Sequence, residues 1–307
     1  MMVFSQYAIQ VVMSFMMLVR IFMILPRASV AANRIQEVLD TKLTIEDGSG
    51  VHGDPDKTGE IVFDKVSFRY PDAEEDVLKD ISFTAGKGET VALIGATGCG
   101  KSTVINLIPR FYDATEGTVS VDGVNVKDYS QKELRNKIGY VSQKATLFTG
   151  TIESNVAYGD NGQKNASETD IKKALDIAQA SEFVDSLEDG SKAYVAQGGS
   201  NFSGGQKQRM SIARAIARKP EILIFDDSFS ALDYKTDRVL REALAKSCKD
   251  STRIIVAQRI GTIRDADRII VLEDGKIAGM GRHEELMRDC EVYRQIALSQ
   301  LSKEELA

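Results

Sequence analysis

Two short glycine-containing loops hold the residues of this chain whose types and spacing suit phosphate chemistry. The first, GATGCGKST at residues 95–103, follows the apolar run VALI and leads into a helical pattern. In that context backbone N–H groups, a lysine and a hydroxyl can surround a row of phosphates. The second loop, SGGQ at residues 203–206, opens a longer predicted helix. A hydroxyl and free backbone N–H groups at a helix N-terminus also suit an anion.

The first loop predicts a site for ATP and Mg²⁺. Lys101 would reach the β- and γ-phosphates, and the Ser102 hydroxyl would bind Mg²⁺. Cys99 is interpreted as a small residue that fits the loop, in preference to a redox group. The residues predicted to hold the nucleotide here are Gly95, Thr97, Gly98, Cys99, Gly100, Lys101, Ser102 and Thr103.

A pair of carboxylates follows the apolar run ILIF at residues 222–225. The first of them, Asp226, stands at the end of a predicted buried strand. In P-loop enzymes such a carboxylate holds Mg²⁺ through water, so Asp226 is the predicted metal residue beside Ser102. The alternative, that Asp226 caps the following turn, is weaker because the strand and the aspartate accompany a phosphate loop.

The second phosphate loop requires a nucleotide other than the one in the first loop. The first loop already occupies the γ-phosphate of the chain's own nucleotide. The SGGQ residues are therefore interpreted as an anion site that faces the nucleotide of another subunit. These residues are Ser203, Gly204, Gly205 and Gln206.

The composition argues against several other kinds of site. The 307 residues carry a formal net charge of −6, with a pI near 5.2, so a broad nucleic-acid surface is not expected. The three cysteines and two histidines are scattered along the chain. This spacing predicts neither disulfides nor a zinc cluster, and it favours a reducing compartment.

The N-terminal segment has the composition of a membrane span. Residues 1–19 contain no charged side chain, and residues 21–25 (IFMIL) extend the apolar run, while crossing a bilayer takes about 20 residues. A signal peptide is the rival interpretation, but no basic region precedes the run and no small-residue cleavage site follows it. A buried amphipathic helix of a soluble protein is a further alternative. The basic residues lie on the C-terminal side, which places that side in the cytosol: Arg20, Arg27 and Arg34.

Gln6, Gln10 and Ser14 recur every four residues and form one polar stripe on this predicted helix. Because polar side chains avoid lipid, the stripe is expected to face other helices or an aqueous path. A single span cannot enclose a pathway. The segment is therefore interpreted as the last span of a larger membrane domain.

The order of motifs resembles an ABC-transporter nucleotide-binding domain of the exporter type. The motifs are the phosphate loop, Gln143 after YVS, the SGGQ loop, the strand that ends in Asp226, and SALD at residues 230–233. The resemblance covers roughly residues 58–290. It implies an α/β fold with a RecA-like P-loop NTPase core, an antiparallel β-subdomain and an inserted α-helical subdomain, preceded by the end of a transmembrane helical domain.

The predicted organisation follows this resemblance. Residues 1–40 are assigned to the last transmembrane helix and its cytosolic extension, residues 41–57 to a linker, and residues 58–307 to the nucleotide-binding domain, with the helical subdomain at about 150–218. Hairpin turns are predicted at Asp64-Lys65, at Asp122-Gly123 and within EDGKIAG. Three apolar runs predict strands of a parallel sheet: ILIF at 222–225, RIIVA at 253–257 and RIIVL at 268–272.

The resemblance also implies roles for residues outside the phosphate loops. Tyr70 would stack on adenine, although an aromatic residue that merely ends a strand is the plain alternative. Gln143 would sense Mg²⁺, contact the membrane domain and take part in catalysis. Residues 147–158 would lie near the coupling helices of the membrane domain. The SALD residues would cross a dimer interface: Ser230, Ala231, Leu232 and Asp233.

Two catalytic positions depart from the pattern of working family members. Asp227 stands where they have glutamate, and Gln258 where they have histidine. Gln197 is a further departure, at a position where exporters often carry glutamate. Aspartate is one methylene shorter than glutamate, and a neutral amide cannot carry the charge or shuttle the proton of histidine. The chain thus resembles the degenerate-site subunit of a heterodimeric, multidrug-type ABC exporter, whose partner would supply the glutamate and histidine.

Two other functions remain open on the sequence alone. One is a homodimeric exporter ATPase in which Asp227 itself is the general base. The other is a soluble ABC protein that acts on nucleic acid or ribosomes, which the apolar N-terminus and acidic balance disfavour. The main hypothesis expects a cell-membrane location with the nucleotide-binding domain on the cytoplasmic side, no nucleic-acid partner, and a transported substrate that the sequence does not specify.

Overall fold

The computed structural model describes residues 2–159 and 166–300. The chain divides into two compact units, with the boundary between Glu46 and Asp47. Three parts of the predicted domains lie outside the described residues: residue 1, residues 160–165 of the predicted helical subdomain, and residues 301–307.

The first unit is built on one long helix, α1 (Met2–Leu39). It includes both the predicted span and the segment after it, and Pro26 lies inside it. Its most apolar window has a mean hydropathy of 2.2, and its length and composition would allow it to cross a membrane. On the polar stripe, the Ser14 hydroxyl donates to the Gln10 carbonyl over 2.9 Å, which satisfies this group within the helix.

The second unit contains all the described strands. They are β1 (Ile61–Phe68), β2 (Leu78–Ala85), β3 (Thr90–Gly95), β4 (Glu116–Val121), β5 (Val124–Asn125), β6 (Ile138–Val141), β7 (Gly150–Thr151), β8 (Tyr194–Val195), β9 (Ile222–Asp226), β10 (Thr252–Val256), β11 (Arg268–Glu273) and β12 (Lys276–Gly281). Its helices are α2 (Lys101–Leu107), α3 (Gln131–Asn136), α4 (Ile152–Val156), α5 (Glu168–Ile177), α6 (Ser181–Asp185), α7 (Gly204–Ala217), α8 (Tyr234–Ser247), α9 (Ile260–Ile263), α10 (His283–Asp289) and α11 (Glu291–Gln300).

The central sheet has the strand order β12-β11-β3-β10-β9-β6. All neighbours are parallel except the edge strand β12, which pairs antiparallel with β11. Alternate residues face two separate buried clusters, as Leu223 and Phe225 do on one side of β9 and Ile222 and Ile224 on the other. Burial on both faces explains why these strands read as continuous apolar runs, and the parallel sheet predicted from them is confirmed.

The parallel direction brings several strand ends to one edge of the sheet. Strand β3 ends at Gly95, its neighbour β10 ends at Val256, and β9 on the far side of β10 ends at Asp226. Ligands of open α/β sheets bind outside the carboxyl ends of the strands. This edge is therefore where the predicted site residues can meet.

The second sheet is antiparallel, with the order β2-β1-β4-β5. The hairpin predicted at Asp64-Lys65 is wrong, because β1 continues through these residues and pairs with β2 and β4 on both sides of them. Lys65 has φ 49°, and the register shifts between Phe63 and Val66. A bulge of this kind bends a strand without ending it, so the buried side chains before and after it stay on the core face.

The two other predicted hairpins are confirmed. Strands β4 and β5 are joined at Asp122-Gly123, with φ values of 50° and 74°, and strands β11 and β12 at Asp274-Gly275, with 45° and 77°. Two successive residues with positive φ are the requirement of the type I′ turn, which Asp-Gly meets at low cost.

Candidate nucleotide-binding site

The first phosphate loop joins β3 to α2 in the strand–loop–helix arrangement that its sequence predicts. Gly100 has φ 102°, and a Cβ atom there would lie 2.6 Å from Leu78 Cδ2, so only glycine fits. A Cβ on Gly95 would lie 2.7 Å from Cys99 Sγ. Cys99 itself is buried in the core, which agrees with its interpretation as a small packing residue.

The Lys101 ammonium is hydrogen-bonded to backbone carbonyls of the loop. Its Nζ atom donates to the carbonyl oxygens of Gly95 and Ala96, each over 2.7 Å. Only 9% of the residue is exposed. A buried ammonium of this kind needs several acceptors, and phosphate oxygens would be stronger acceptors than the two carbonyls.

A cleft of about 330 Å³ opens beside this loop. This volume lies at the lower end of the range of ligand sites. Among the predicted site residues, the cleft is lined by Tyr70, Thr97, Gly98, Gly100, Lys101, Ser102, Thr103, Gln143, Asp226, Asp227 and Gln258. Val77 and Val256 also line it; sequence reasoning missed both, because an apolar residue at a strand end carries no chemical signal.

Tyr70 lies at the aromatic end of the cleft. Its hydroxyl is 3.1 Å from Thr103 Oγ1. Its ring packs edge-on against Phe68 and Tyr112, with centroid separations of 4.8 and 5.2 Å. These contacts fix the ring beside the phosphate loop, where a planar base could stack on it.

Two of the three predicted metal residues, Ser102 and Asp226, are in contact, whereas the third, Gln143, is hydrogen-bonded to Asp227. Ser102 Oγ donates to Asp226 Oδ1 over 3.0 Å, and the Tyr140 hydroxyl is 3.3 Å from Asp226 Oδ2. Burial raises the pKa of Asp226, while the bonds from Ser102 and Tyr140 oppose the shift. A hydroxyl and a carboxylate fit Mg²⁺, which takes few protein oxygens and completes its shell with water and phosphate. Sequence reasoning missed Tyr140, although it belongs to the YVSQ motif.

Asp227 accepts hydrogen bonds from two side-chain amides. Gln143 Nε2 and Gln258 Nε2 both donate to Asp227 Oδ2, over 3.2 and 2.8 Å. Burial raises the pKa of the Asp227 carboxyl, and the hydrogen bonds from Gln143 and Ser230 partly offset this. Of the three residues predicted to be catalytic, Gln143 and Gln258 therefore both contact Asp227.

The SALD segment begins three residues after Asp227. Ser230 donates to the Asp227 carbonyl through both its N–H, over 3.3 Å, and its hydroxyl, over 2.7 Å. Arg259, the residue after Gln258, donates to the carbonyls of Ser230 and Leu232 over 3.2 and 3.4 Å. Asp233 caps α8 by accepting from the Thr236 N–H. Ser230, Ala231 and Asp233 are exposed, while Leu232 is buried.

The second phosphate loop lies elsewhere. Ser203 caps α7: its hydroxyl accepts from the Gln206 N–H over 3.3 Å, and Gln206 Oε1 accepts from the Ser203 N–H over 2.9 Å. Ser203 and Gly204 are exposed. A Cβ on Gly205 would lie 3.4 Å from the Ala231 carbonyl oxygen, so this loop adjoins the SALD segment. Residues 203–206, all within the described part of the chain, do not line the cleft.

A phosphate loop between a parallel strand and a helix, with a carboxylate from the end of a nearby parallel strand, defines a P-loop nucleotide-binding domain. Residues 78–230 match the family model described as ABC transporter. The chain is 44% identical over 305 residues to an uncharacterized ABC transporter ATP-binding protein of Mycobacterium tuberculosis, covering 97% of this chain and 51% of that protein. It is 42% identical over 275 residues to Multidrug resistance protein 1 of Entamoeba histolytica, covering 88% and 21%.

A solved structure of a bacterial Atm1-family ABC exporter with ATP bound is similar to this chain. The TM-score is 0.84 at 32% sequence identity, over 94% of this chain and 50% of the exporter chain. The chain therefore carries an ABC transporter ATP-binding domain of the exporter type, and the predicted fold class is confirmed. Domains of this family bind ATP, generally with Mg²⁺. The chain spans about half the length of the Mycobacterium relative and of the exporter.

Proposed function

We propose that this chain is the ATP-binding part of a membrane exporter in which two such domains pair face to face around their nucleotides. The observation that carries the proposal is the separation of the two phosphate loops. The cleft contains Lys101, Ser102 and Asp226, which suffice to hold one Mg-ATP, whereas the exposed Ser203 loop does not line that cleft. A second anion site that faces outward is useful to the nucleotide of another subunit.

The membrane part of the proposal rests on α1. Residues 1–40 would form the last transmembrane helix and its extension, residues 41–57 the linker, and residues 58–307 the ATP-binding domain, which would lie on the cytoplasmic side of the cell membrane. The hydropathy of α1 and the resemblance to exporters support this arrangement.

A surface aromatic pair supports the predicted contact of residues 147–158 with a membrane domain. Phe148 and Tyr158 are 45% and 54% exposed, and their ring centroids are 4.5 Å apart. Arg214 lies over both rings and donates to the carbonyls of Asn155 and Thr146 over 2.8 and 2.9 Å. Cation–π contacts of this kind contribute about 0.5–1 kcal/mol each at exposed sites. The pair is thus an exposed aromatic surface braced by Arg214, as a contact surface for helix ends would be.

The proposed role in the pair is to hold ATP more than to hydrolyse it. Asp227 and Gln258 occupy the positions where working members of the family carry glutamate and histidine. A general base contributes about 10²–10⁴ in rate, and its effect depends steeply on position. The partner would be a second half-transporter with glutamate and histidine at these positions. The Ser203 loop of this chain would then complete the partner's competent site.

A second candidate, a homodimeric exporter ATPase with Asp227 as base, is favoured by one observation. The Asp227 carboxyl lines the cleft, and burial raises its pKa towards the range useful for proton transfer. Both candidates require that the Ser203 loop contact a nucleotide across the interface, so a test of that loop addresses what they share.

Changing Ser203 to aspartate is expected to block ATP-dependent pairing while leaving ATP binding intact. Aspartate is an equally good N-cap, so α7 should keep its start, but the new carboxylate would face the partner's phosphates. Like charges in an interface cost several kcal/mol, so dimerisation in Mg-ATP should weaken by about 10-fold or more. Sedimentation of the purified chain in detergent, alone and mixed with the partner half-transporter, checks the pairing. Binding of a fluorescent ATP analogue, measured alongside, checks the nucleotide site.

Ser130→Asp is the matched control, because Ser130 also caps a helix through its hydroxyl, here by accepting from the Glu133 N–H of α3. It does not line the cleft. Pairing should be unchanged in this variant. Dimerisation of Ser203→Asp equal to that of Ser130→Asp would show that the loop does not face a second nucleotide, and the proposed function would be wrong.

A further inference from the structure

The last described helix, α11, reaches the catalytic end of the cleft through one side chain. Gln300 Nε2 donates to the backbone carbonyl of Gln258 over 2.7 Å, and Gln300 Oε1 accepts from the backbone N–H of Ile260 over 2.9 Å. One side-chain amide thereby bonds the backbone on both sides of Arg259. This is the pattern with which a neighbouring strand would pair.

The direction of the Gln300 amide is fixed by its partners. A backbone carbonyl can only accept and a backbone N–H can only donate, so Nε2 must face Gln258 and Oε1 must face Ile260. The opposite orientation would place Oε1 against the Gln258 carbonyl, acceptor against acceptor, and Nε2 against the Ile260 N–H, donor against donor. Only one orientation of the side-chain amide satisfies both backbone groups.

The helix that carries Gln300 is anchored in the core. Tyr293 and Ala297 on α11 are fully buried, and the Tyr293 hydroxyl is 2.7 Å from Nδ1 of His283 on α10. On the other side of the contact, Ile260 and Ile263 of α9 are fully buried as well. Because α11 and α9 are both packed in the core, Gln300 joins two fixed helices and limits where the Gln258 backbone can lie.

The Gln258 side chain carries this restraint into the site. Its amide donates to Asp227 Oδ2 over 2.8 Å, and the same oxygen accepts from Gln143. Strand β10 ends at Val256, so Gln258 lies beyond the hydrogen bonds of the sheet. The bonds from Gln300 hold this position where the sheet no longer does.

We propose that Gln300 is a positioning residue for ATP hydrolysis, which sets the place of Gln258 beside Asp227 and so links α11 to the catalytic end of the cleft. This rests on the proposed function, since it requires that the cleft bind Mg-ATP, and it concerns the slow hydrolysis that the site retains. Without Gln300, the Gln258 carbonyl and the Ile260 N–H bond to water. The backbone at 258 then moves by the small distances that catalysis does not tolerate.

The test compares Gln300→Ala with Gln295→Ala in the full chain, using single-turnover hydrolysis of Mg-ATP and its binding affinity. Gln295 lies on the same helix and its Nε2 bonds only to Glu291 among the described residues, so it is the matched control. We expect Gln300→Ala to lower the hydrolysis rate roughly 10- to 100-fold. The ATP affinity and the thermal midpoint should stay equal to those of Gln295→Ala.

A double-mutant cycle separates positioning from a structural role. In a Gln258→Ala background, where there is no side chain to position, Gln300→Ala should cause no further loss of rate. Equal losses in the two backgrounds, or a Gln300→Ala rate equal to that of the control, would overturn the proposal. Absence of Mg-ATP binding by the wild-type chain would instead overturn the proposed function, so the two failures can be told apart.

Discussion

Replacing Lys101 with alanine is expected to weaken Mg-ATP binding by about 100-fold, the largest loss of affinity from any single change in the cleft. Lys101 is the one cation among the described residues that line the cleft, where Asp226 and Asp227 are anions. A hydrogen bond to a charged group contributes about 1.5–3 kcal/mol, which corresponds to a factor of roughly 10–150. Removing the ammonium also leaves two carboxylates facing the phosphates.

Equilibrium binding of a fluorescent ATP analogue to the purified chain measures this effect. Lys87→Ala is the control, since Lys87 is an exposed lysine that does not line the cleft. Its affinity should match that of the wild type. A Lys101→Ala chain that binds Mg-ATP as tightly as Lys87→Ala would mean that nucleotide is bound somewhere other than in this cleft.

The second large effect is a gain of activity. Changing Asp227 to glutamate and Gln258 to histidine together is expected to raise ATP turnover by about 10²–10⁴, the usual contribution of a well-placed general base. Glutamate moves the carboxylate about an ångström further into the cleft, towards the attacking water. Histidine at 258 can carry a proton that glutamine cannot.

Steady-state ATP hydrolysis by the two single variants and by the double variant tests this prediction. Asp227 accepts from both Gln143 and Gln258, so the substitutions share partners and should not be additive. A gain below about 10-fold in the double variant would fall short of a restored general base. It would favour the homodimeric enzyme in which Asp227 already acts as base.

The residues of the candidate nucleotide site could be located from local sequence because their spacing is itself the motif. The phosphate loop, the strand that ends at Asp226 and the Asp-Gly hairpins each occupy a few consecutive residues. The error at Asp64-Lys65 has a physical cause: a polar pair between apolar runs suits a bulge as well as a turn. Only the pairing of both halves of β1 with β2 and β4 distinguishes the two.

The long-range contacts that hold the site residues in place could not be predicted from local sequence. Gln300 meets Gln258 across 42 residues, and Tyr140 meets Asp226 across 86. Nothing in the local pattern marks a glutamine near the end of a polar helix as a backbone partner for a distant strand end. Such contacts depend on how the packed elements lie, which a single sequence does not encode in its spacing.

The hydrogen bonds of the segment before the first strand could not be predicted from local sequence either. Residues 41–57 read as a linker because they are rich in glycine and polar side chains. From Gly48 onwards, however, the chain is hydrogen-bonded to the loop around Asp122 and Tyr129: Gly48 N–H to the Tyr129 carbonyl over 3.0 Å, and Asp54 N–H to the Asp122 carbonyl over 2.9 Å. Composition alone does not reveal such attachment.

ATP turnover by the purified chain, set beside its Mg-ATP binding, decides whether this cleft holds nucleotide or hydrolyses it. We expect the chain alone to bind Mg-ATP but to turn it over at well below about 1 s⁻¹, the lower end of ordinary enzymes. Adding a partner half-transporter with glutamate and histidine at the two altered positions should raise turnover. Robust hydrolysis by the chain as a homodimer, abolished by Asp227→Asn, would show instead that Asp227 is a working general base and that this site is not degenerate.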